Sequence, residues 1–499
     1  MGAPWPLSCI NTSLVFSSLV IMSMVARYCT GKTVMRLERI QPLSHDVKIE
    51  RVVARDRIRH ARLFQGFVGG VVDFSVVGSS DPYLVGLYFT KVKMGSPPTE
   101  FNVQIDTGSD VLWVNCRTCS NCPQSSGLGI RLNLFDASSS STSGAIFCTD
   151  PICTSSVQRA SALCSQDSNQ CLYSFQYGDG SGTSGYYISD LFHFDSVLDQ
   201  SMVANSSALV IFGCSTYQSG DLTKTDKAVD GILGFGPGEL SVISQLGSRG
   251  VTPKVFSHCL KGDSNGGGIL VLGEILEPGM VFTPLVPLQP HYNLDLQSIS
   301  VNGELLRVNP AVFMTGINSG TIVDSGTTLA YLVDEAFDAL TVAITNVVSR
   351  SAIPTISKGN QCYLVPGSVS DVFPVISLNF AGDASLILNP EEYLIPSGYY
   401  NGAAVWCIGF VRVEGVTILG DLVLKDKIFV YDLARQRIGW AKYDCSTAVN
   451  VSVSSSKDFI NAGQIGASCA PEEMMRRLFP FAMALVLSTG LALIKPPFL

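Results

Sequence analysis

Residues 101–116, FNVQIDTGSDVLWVNC, place an acidic side chain at the end of an apolar strand pattern. Apolar and polar residues alternate up to Asp106, which predicts a strand with one buried face. Asp106 is followed by Thr-Gly-Ser and then by a second apolar run. Asp and Gly are common turn residues, so this stretch alone could be an ordinary hairpin.

The pattern occurs again at 320–332, in GTIVDSGTTLAYL, where Asp324 is followed by Ser-Gly-Thr and another apolar run. Each half also has a later Ile-Leu-Gly, in GILGFG at 231–236 and in TILGDL at 417–422. Chance readily produces one such acidic loop, but not two that are each followed by a matching Ile-Leu-Gly. The repeat therefore predicts a duplicated β lobe, with one acidic loop from each copy.

Composition agrees with a mainly β chain of more than one lobe. Its 499 residues are enough for two cores. Charged residues are 15% of the total, below the usual quarter, and short apolar runs alternate with Gly, Ser, Asn and Pro. Helical patterns are few, and the best of them lie at 237–250 and 331–350. A formal net charge of −8 with no basic stripe makes nucleic acid an unexpected partner.

The start of the chain resembles a processing signal. An apolar stretch within residues 1–30 has secretory-signal length and predicts a signal peptide, with a membrane anchor as the alternative. Residues 31–78 are predicted to be a basic pro-segment, since 33–65 holds eight Lys or Arg against four Asp or Glu. The segment could be a solvated helix, or it could cover an acidic cleft until the cleft carboxylates take up protons.

The far end resembles a second signal. The apolar run at 478–494 would span roughly 25 Å as a helix, which is short for a hydrocarbon core of about 30 Å. Small residues and a polar spacer precede it, so 469–499 is predicted to be a glycolipid (GPI) attachment signal after a Ser/Gly-rich linker at 447–468. A transmembrane helix is the alternative.

Twelve cysteines lie in the predicted body. Their even number and the signal peptide predict disulfides in an oxidising compartment. CRTCSNC at 116–122 could instead suggest zinc, but no second Cys or His pair follows at metal-site spacing. Asn205 and Asn450 lie in glycosylation sequons. The body cysteines are Cys116, Cys119, Cys122, Cys148, Cys153, Cys164, Cys171, Cys214, Cys259, Cys362, Cys407 and Cys445.

Over about residues 80–446 the chain resembles the pepsin-like aspartic proteases. The matching landmarks are IDTGSDVLWV, YGDGSGTSG, DGILGFG, IVDSGTTLAYL and ILGDLVLKDKIFVYDLARQRIGWA, in the family's order. The Cys-rich insert at 116–171 resembles the plant, nepenthesin-type branch. The resemblance implies a bilobal, mainly β fold of two duplicated β-barrel-like lobes, with few short helices and a cleft between the lobes. We place the N-terminal lobe at 79–286 and the C-terminal lobe at 287–446.

The resemblance also implies that Asp106 and Asp324 form a catalytic dyad. Amide hydrolysis needs a base to take a proton from water and an acid to protonate the carbonyl oxygen and the leaving nitrogen. Two neighbouring carboxyls that share one proton supply both, as is established for aspartic proteases as a class, because both cannot ionise cheaply. Water is the nucleophile, so neither a metal nor an organic cofactor is expected.

The residues next to each Asp have matching expected tasks. The glycine of each loop lets the two loops approach closely. The hydroxyl residue before that glycine would exchange hydrogen bonds between the lobes, and the one after it would bond the outer carboxyl oxygen. These residues are Thr107, Gly108, Ser109, Ser325, Gly326 and Thr327.

FQYGDGSGTSGYY, at 175–187, has apolar arms around a glycine-rich centre and predicts a hairpin. In the family this hairpin is the flap over the substrate, which implies a site role for Tyr177 and Gly178, with Tyr177 bonded to Trp113. A surface hairpin with a core tyrosine is the alternative. Asp179 replaces the residue usual in pepsins proper.

Spacing alone does not determine how the cysteines pair. The nepenthesin-type pattern, if it transfers, implies six disulfides that use every body cysteine. Its pairs are Cys116 with Cys119, Cys122 with Cys214, Cys148 with Cys171, Cys153 with Cys164, Cys259 with Cys445, and Cys362 with Cys407.

Rival chemistries have weaker support. GDSNG at 262–266 fits the G-x-S-x-G formula, but a strand pattern follows Ser264 where a nucleophile elbow needs a helix. A two-carboxylate glycosidase would not explain the hairpin or the paired Ile-Leu-Gly. Some plant members of the family have lost catalytic residues and inhibit cell-wall glycanases, which remains the alternative function.

The sequence thus predicts a secreted, acid-active aspartic endopeptidase that cleaves an extended peptide or protein substrate. It is expected to be a monomer and a zymogen inhibited by its own pro-segment. The glycolipid signal predicts tethering at the outer face of the plasma membrane, with the cell wall as the other expected location.

Overall fold

The computed structural model describes residues 71–79, 87–158, 162–199, 202–262, 266–357, 359–452 and 459–462. The predicted signal peptide, residues 31–70 of the predicted pro-segment and the predicted glycolipid signal lie outside these ranges. Within them, strands dominate and helices are short, which confirms the mainly β prediction. No helix of the described ranges is both long and apolar enough to cross a membrane.

The first half of the chain forms strands before and after the first acidic loop. They are β1 (Val71–Ser79), β2 (Leu87–Met94), β3 (Thr99–Asp106), β4 (Trp113–Ser120), β5 (Gly144–Ala145), β6 (Leu163–Cys164), β7 (Cys171–Gln176), β8 (Gly182–Asp199), β9 (Met202–Ser219), β10 (Gly231–Gly234), β11 (Val255–Leu260), β12 (Gly268–Leu272), β13 (Ile275–Leu276) and β14 (Val281–Pro284).

The strands of the second half continue the numbering. They are β15 (Asn293–Leu294), β16 (Leu296–Val301), β17 (Glu304–Leu305), β18 (Gly320–Val323), β19 (Ala330–Val333), β20 (Ile353–Ser357), β21 (Asn360–Val365), β22 (Ile376–Phe380), β23 (Ala384–Leu388), β24 (Leu394–Tyr400), β25 (Ala403–Ile408), β26 (Phe410–Val413), β27 (Val416–Leu419), β28 (Lys427–Asp432), β29 (Arg437–Lys442), β30 (Val449–Ser452) and β31 (Phe459–Ala462).

Five α-helices and three 3₁₀ turns complete the described elements. The helices are α1 (Pro151–Gln158), α2 (Val242–Ser248), α3 (Asp334–Val348), α4 (Val369–Val372) and α5 (Asp421–Leu424), and the turns are Gly220–Thr223, Pro310–Phe313 and Pro390–Glu392.

The two predicted helices are present but shorter than their patterns. In the first, the Ser241 side chain accepts a hydrogen bond from Ser244 N and starts α2 at Val242, as N-cap serines do. In the second, residues 331–333 belong to β19, and the helix α3 begins at Asp334. Helix α3 buries four apolar residues at i, i+4 spacing. They are Ala336, Leu340, Ile344 and Val348. Burial of a large aliphatic side chain stabilises a fold by about 1.5–3 kcal/mol.

Each acidic loop joins two strands that have a third strand inserted between them. Strand β10 lies parallel to β3, with Gly234 opposite Asp106, and antiparallel to β4. Strand β27 likewise lies parallel to β18, with Leu419 opposite Val323, and antiparallel to β19. The inserted strands carry the two Ile-Leu-Gly sequences. The matching sequences therefore reflect matching positions in two copies of one β motif.

The glycine of each Ile-Leu-Gly lies against the acidic loop. A Cβ on Gly234 would be 2.5 Å from Val111 N, and one on Gly420 would be 3.0 Å from the Thr327 carbonyl carbon. Both distances are tighter than ordinary carbon contacts. A side chain at either position would push the loop away from its strand.

A 15-stranded sheet connects the two halves of the chain. Strand β28 pairs with β11, and β29 pairs with β14, so the end of the body returns to strands of the first half. Residues 71–79, which fall mainly in the predicted pro-segment, form β1 between β12 and β2. The predicted linker at 447–468 contributes β30 and β31, which form a small sheet with β13.

Six disulfides join the described cysteines, and two of the expected pairs are confirmed: Cys259 with Cys445 and Cys362 with Cys407. The other four expected pairs were wrong. The observed pairs are Cys116 with Cys214, Cys119 with Cys122, Cys148 with Cys164, and Cys153 with Cys171.

Burial explains the first correction. Cys116 and Cys214 lie on the paired strands β4 and β9, and both sulfurs face the main core. Cys119 lies near the end of β4 and joins Cys122 locally. Bonding within CRTCSNC and to Cys214 also uses the thiols that the zinc alternative would need.

The second correction has the same cause. Cys153 of α1 and Cys171 of β7 are both buried in one apolar cluster. Cys148 and Cys164 are more exposed and meet outside that cluster. In the Cys148, Cys153, Cys164 and Cys171 group, each cysteine thus bonds a partner in its own environment.

Candidate active site

The structure brings the two predicted carboxyls together at the junction of the acidic loops. A Cβ on Gly108 would be 2.5 Å from the Asp324 Cγ, and one on Gly326 would be 2.7 Å from the Asp106 Cγ. The Asp106 and Asp324 side chains also hydrogen-bond to each other. Each glycine therefore leaves room for the carboxyl of the opposite loop.

Hydrogen bonds from its own loop fix the Asp106 carboxyl. Gly108 N donates to Oδ1 over 2.8 Å, and the Ser109 hydroxyl donates to Oδ2. Asp106 is only 5% exposed. The carboxyl is therefore held in one orientation and is largely shielded from bulk solvent.

The second loop repeats these contacts. Gly326 N donates to Asp324 Oδ1 over 2.8 Å, and Thr327 Oγ1 donates to Oδ2 over 2.5 Å. Thr327 and Ser109 thus occupy equivalent places. Ser109 and Thr327 thus form the hydrogen bonds to the carboxyl oxygens that were expected of them.

A reciprocal set of hydrogen bonds, which we term the hydroxyl bracket, ties the two loops through Thr107 and Ser325. Thr107 N donates to Ser325 Oγ (3.2 Å), and Ser325 N donates to Thr107 Oγ1 (3.0 Å). The Thr107 hydroxyl donates to Val323 O (3.3 Å), and the Ser325 hydroxyl donates to Ile105 O (3.1 Å). All four bonds cross between the halves of the chain, so the bracket sets the distance between the carboxyls.

Burial and the neighbouring charge determine the protonation of the pair. Burial, followed by repulsion from Asp324, raises the pKa of Asp106 well above its ordinary value, against the opposing hydrogen bonds from Ser109 and Gly108. A proton is therefore retained between the carboxyls under conditions where isolated carboxyls would both be ionised. One group can then act as an acid while the other acts as a base.

The predicted hairpin is formed by β7 and β8, and its Tyr177 lies close enough to the pair for the Asp106 charge to affect it. Trp113 Nε1 donates to the Tyr177 hydroxyl over 2.7 Å. Burial and the Asp106 charge raise the Tyr177 pKa well above its ordinary value, so the phenol stays protonated. Tyr177 therefore lies within the electrostatic reach of the dyad.

Asp179 stabilises the hairpin tip rather than pointing toward a ligand. Its Oδ1 accepts from Ser181 N (2.9 Å) and from the Ser181 hydroxyl (2.6 Å). Gly180 has a φ of +82°, a conformation that favours glycine. A Cβ on Gly178 would meet nothing within 4 Å, so steric room does not require glycine there.

Tyr177→Phe is expected to lower kcat/KM for peptide cleavage about 10-fold. The change removes the acceptor of the Trp113 indole N–H, and leaving a buried donor unpaired costs about 1–3 kcal/mol. The hairpin should therefore hold its closed position less well. Steady-state kinetics checks this. The control is Tyr217→Phe on β9, the strand next to β8, because Tyr217 is 48% exposed. Equal kinetics for the two variants would contradict a site role for Tyr177.

Sequence reasoning missed a third acidic residue, Asp421, at the start of α5. It is 4% exposed, and neither carboxyl oxygen has a hydrogen-bond partner within the described residues. Burial, followed by the charges of Asp324 and Asp106, raises its pKa well above the ordinary value. Asp421 is therefore neutral in acid and adds no third charge behind the dyad. Its place directly after the second Ile-Leu-Gly was the available signal.

Asp421→Asn is expected to flatten the loss of stability between about pH 4 and pH 7. Because the folded-state pKa of Asp421 lies above its unfolded value, its contribution is fully present below the unfolded pKa and is lost as pH rises. The amide does not ionise, so Tm of the variant should fall less over this range. Thermal unfolding at each pH measures the difference, and parallel Tm curves for the two proteins would refute the buried-acid assignment.

Comparisons with known proteins show that the sequence is similar to those of plant proteins. Two family models match, described as Xylanase inhibitor N-terminal over residues 88–274 and Xylanase inhibitor C-terminal over residues 291–442. Aspartic proteinase 36 of Arabidopsis thaliana is 39% identical over 423 residues, covering 84% of this chain and 85% of the relative. Aspartic proteinase nepenthesin-2 of Nepenthes gracilis is 30% identical, with 73% and 79% covered.

Solved structures agree on the fold. The structure titled edgp aligns with a TM-score of 0.61 at 19% identity, covering 76% of this chain and 97% of that one. Basic 7S globulin from soybean aligns with a TM-score of 0.58 at 21% identity, with 75% and 97% covered. At this identity the likeness concerns the fold, and it supports the predicted bilobal β architecture.

Proposed function

Because the chain belongs to the plant family of pepsin-like aspartic proteinases, we propose that it is an active aspartic endopeptidase, with Asp106 and Asp324 as its catalytic dyad. The single observation that carries this proposal is the contact between the buried Asp106 carboxyl and the half-buried Asp324 carboxyl, one from each acidic loop. Both are held by the same set of loop hydrogen bonds.

The reaction needs one water molecule and one shared proton. The ionised carboxyl takes a proton from water while the water oxygen adds to the peptide carbonyl carbon, and the protonated carboxyl gives its proton to the carbonyl oxygen. In the second half, the carboxyl that took the first proton gives it to the leaving nitrogen. The other carboxyl takes a proton back from a hydroxyl of the intermediate, and the C–N bond breaks. The dyad ends with one proton, as it began.

The surroundings suit an extended peptide. The hairpin of β7 and β8 would close over the bound chain and exclude water, and its backbone offers hydrogen bonds to an extended segment. Tyr177, through its hydrogen bond with Trp113, would hold the hairpin over the scissile bond.

Proteolysis of an unfolded protein at acid pH tests the proposal, using the purified secreted protein. We expect cleavage that stops when one equivalent of pepstatin, a hydroxyl-bearing peptide inhibitor, is added. Cleavage that pepstatin does not affect, or no cleavage between pH 3 and 6 after incubation in acid, would refute the proposal.

Glycanase inhibition is the second candidate, and the description of both matching family models as xylanase inhibitor favours it. An inhibitor needs a binding surface but no shared proton, so the intact dyad argues for catalysis. Tight binding to a xylanase that persists in Asp106→Asn, without any proteolysis by the wild type, would favour inhibition instead.

Secretion and processing form part of the same proposal. Six disulfides support passage through an oxidising compartment. Asn205 is exposed on β9, and Asn450 is half-buried on β30. We place the mature protein outside the cell, as a monomer freed from its pro-segment and tethered by a glycolipid. Mass spectrometry of the mature termini would identify the cleavage sites and any lipid.

A further inference from the structure

A buried imidazole and a buried phenol lie directly behind the hydroxyl bracket. His258 on β11 and Tyr431 on β28 belong to neighbouring paired strands, and both are fully buried. His258 Nε2 is 3.1 Å from the Tyr431 hydroxyl. Within the described residues neither side chain hydrogen-bonds a carboxyl of the dyad, and the proposed reaction does not use them.

The protons of this pair can be placed. Burial lowers the His258 pKa to about 3, so the imidazole is neutral and carries one N–H. Its Nδ1 has no hydrogen-bond partner within the described residues. A buried N–H without an acceptor is costly, which puts the hydrogen on Nε2, where it can donate to the Tyr431 oxygen. The Tyr431 hydroxyl hydrogen is then free to donate elsewhere.

That hydroxyl reaches the bracket. The Tyr431 hydroxyl lies within interaction range of the Thr107 side chain. The Thr107 hydroxyl already donates to Val323 O, so it can receive a hydrogen from Tyr431 on a remaining lone pair. The resulting chain runs from His258 through Tyr431 to Thr107 and across to the second acidic loop.

Ring packing keeps the phenol in place. The Tyr431 ring stacks on Phe256 with centroids 4.4 Å apart and planes at 7°, and its centroid lies 5.0 Å from that of Tyr292. The hydroxyl oxygen therefore has little freedom of position. A fixed donor aimed at Thr107 limits how far the bracket can relax.

We propose that Tyr431 is a positioning residue for the dyad, acting through Thr107 and oriented by His258. The strand pairing of β11 with β28 thereby helps to set the spacing of Asp106 and Asp324. The kinetic part of this inference rests on the proposed function, whereas the part that concerns the bracket does not.

Tyr431→Phe tests it, because the change removes the hydroxyl and leaves the stacked ring. We expect kcat to fall about 5- to 20-fold with KM within about twofold, since the acid and base are misplaced but the peptide site is intact. Amide hydrogen exchange at Thr107 and Ser325, whose N–H groups form the bracket, should become at least about fivefold faster. Tyr393→Phe is the matched control, since it removes a buried hydroxyl that donates to Pro374 O away from the dyad.

His258→Phe separates orientation from direct contact. It should reproduce part of the loss in kcat, and the double variant should be no slower than Tyr431→Phe, because both changes act through one hydroxyl. Additive losses, or bracket exchange equal to that of the Tyr393→Phe control, would overturn the proposal. If the wild type lacks proteolysis, the proposed function fails, and the exchange result still decides the role of Tyr431 in the bracket.

Discussion

Asp106→Asn should lower kcat for peptide cleavage at acid pH by at least about 10³-fold, with the fold retained. The amide has the shape of the carboxyl but cannot take a proton from water, so the reaction loses either its base or its acid. The substitution should also raise Tm at neutral pH, since burial disfavours the ionised form of Asp106.

Kinetics and thermal unfolding of the same preparation measure both effects. Asp371→Asn is the control, because it makes the same change at an exposed position of α4. We expect the control to match the wild type in kcat and Tm. More than a tenth of the wild-type activity in Asp106→Asn would contradict a catalytic role for this carboxyl.

Gly326→Ala should lower kcat by at least about 10²-fold without removing any catalytic group. The added Cβ would lie 2.7 Å from the Asp106 Cγ, where real side chains do not approach. Asp106 cannot move aside freely, because Gly108 N holds one of its oxygens over 2.8 Å. A shift of about 1 Å in the dyad is enough for a loss of this size, and overpacking should cost about 1–3 kcal/mol of stability.

Gly367→Ala provides the comparison. A Cβ at Gly367 would meet nothing within 4 Å, and its φ lies outside the left-handed region. The control should therefore keep both activity and stability. If Gly326→Ala retained wild-type kcat, the close contact between the acidic loops would not exist in solution.

The parts of the site that could be predicted from sequence are those whose chemistry requires particular residues in order. A carboxyl at a strand end, a glycine two residues later and a hydroxyl next to that glycine form a local pattern. Both copies of the pattern are visible, and the family resemblance that they carry implied the contacts of Thr107 and Ser325. The insertion of β10 and β27 between the flanking strands was not predicted, although the repeated Ile-Leu-Gly indicated a duplicated lobe.

The features that sequence could not supply depend on long-range packing. Asp421 looks like an ordinary acidic residue at a helix start, and only the folded chain places it behind the dyad. His258 and Tyr431 look like strand residues, and the pairing of β11 with β28 makes them neighbours. The predicted pairing of the cysteines in the Cys-rich insert was wrong for the same reason. Cys153 bonds Cys171 because both sulfurs face one buried cluster, which spacing along the chain does not reveal.

The pH dependence of kcat/KM tests most directly whether Asp106 and Asp324 work by sharing one proton. The purified mature protein, assayed from about pH 2 to pH 8 on one peptide, should give a bell-shaped curve. Its acid limb marks loss of the base and its upper limb marks loss of the acid. Asp324→Asn should abolish the whole curve. A single limb that rises toward neutral pH, or a bell that survives Asp324→Asn, would contradict the shared-proton dyad.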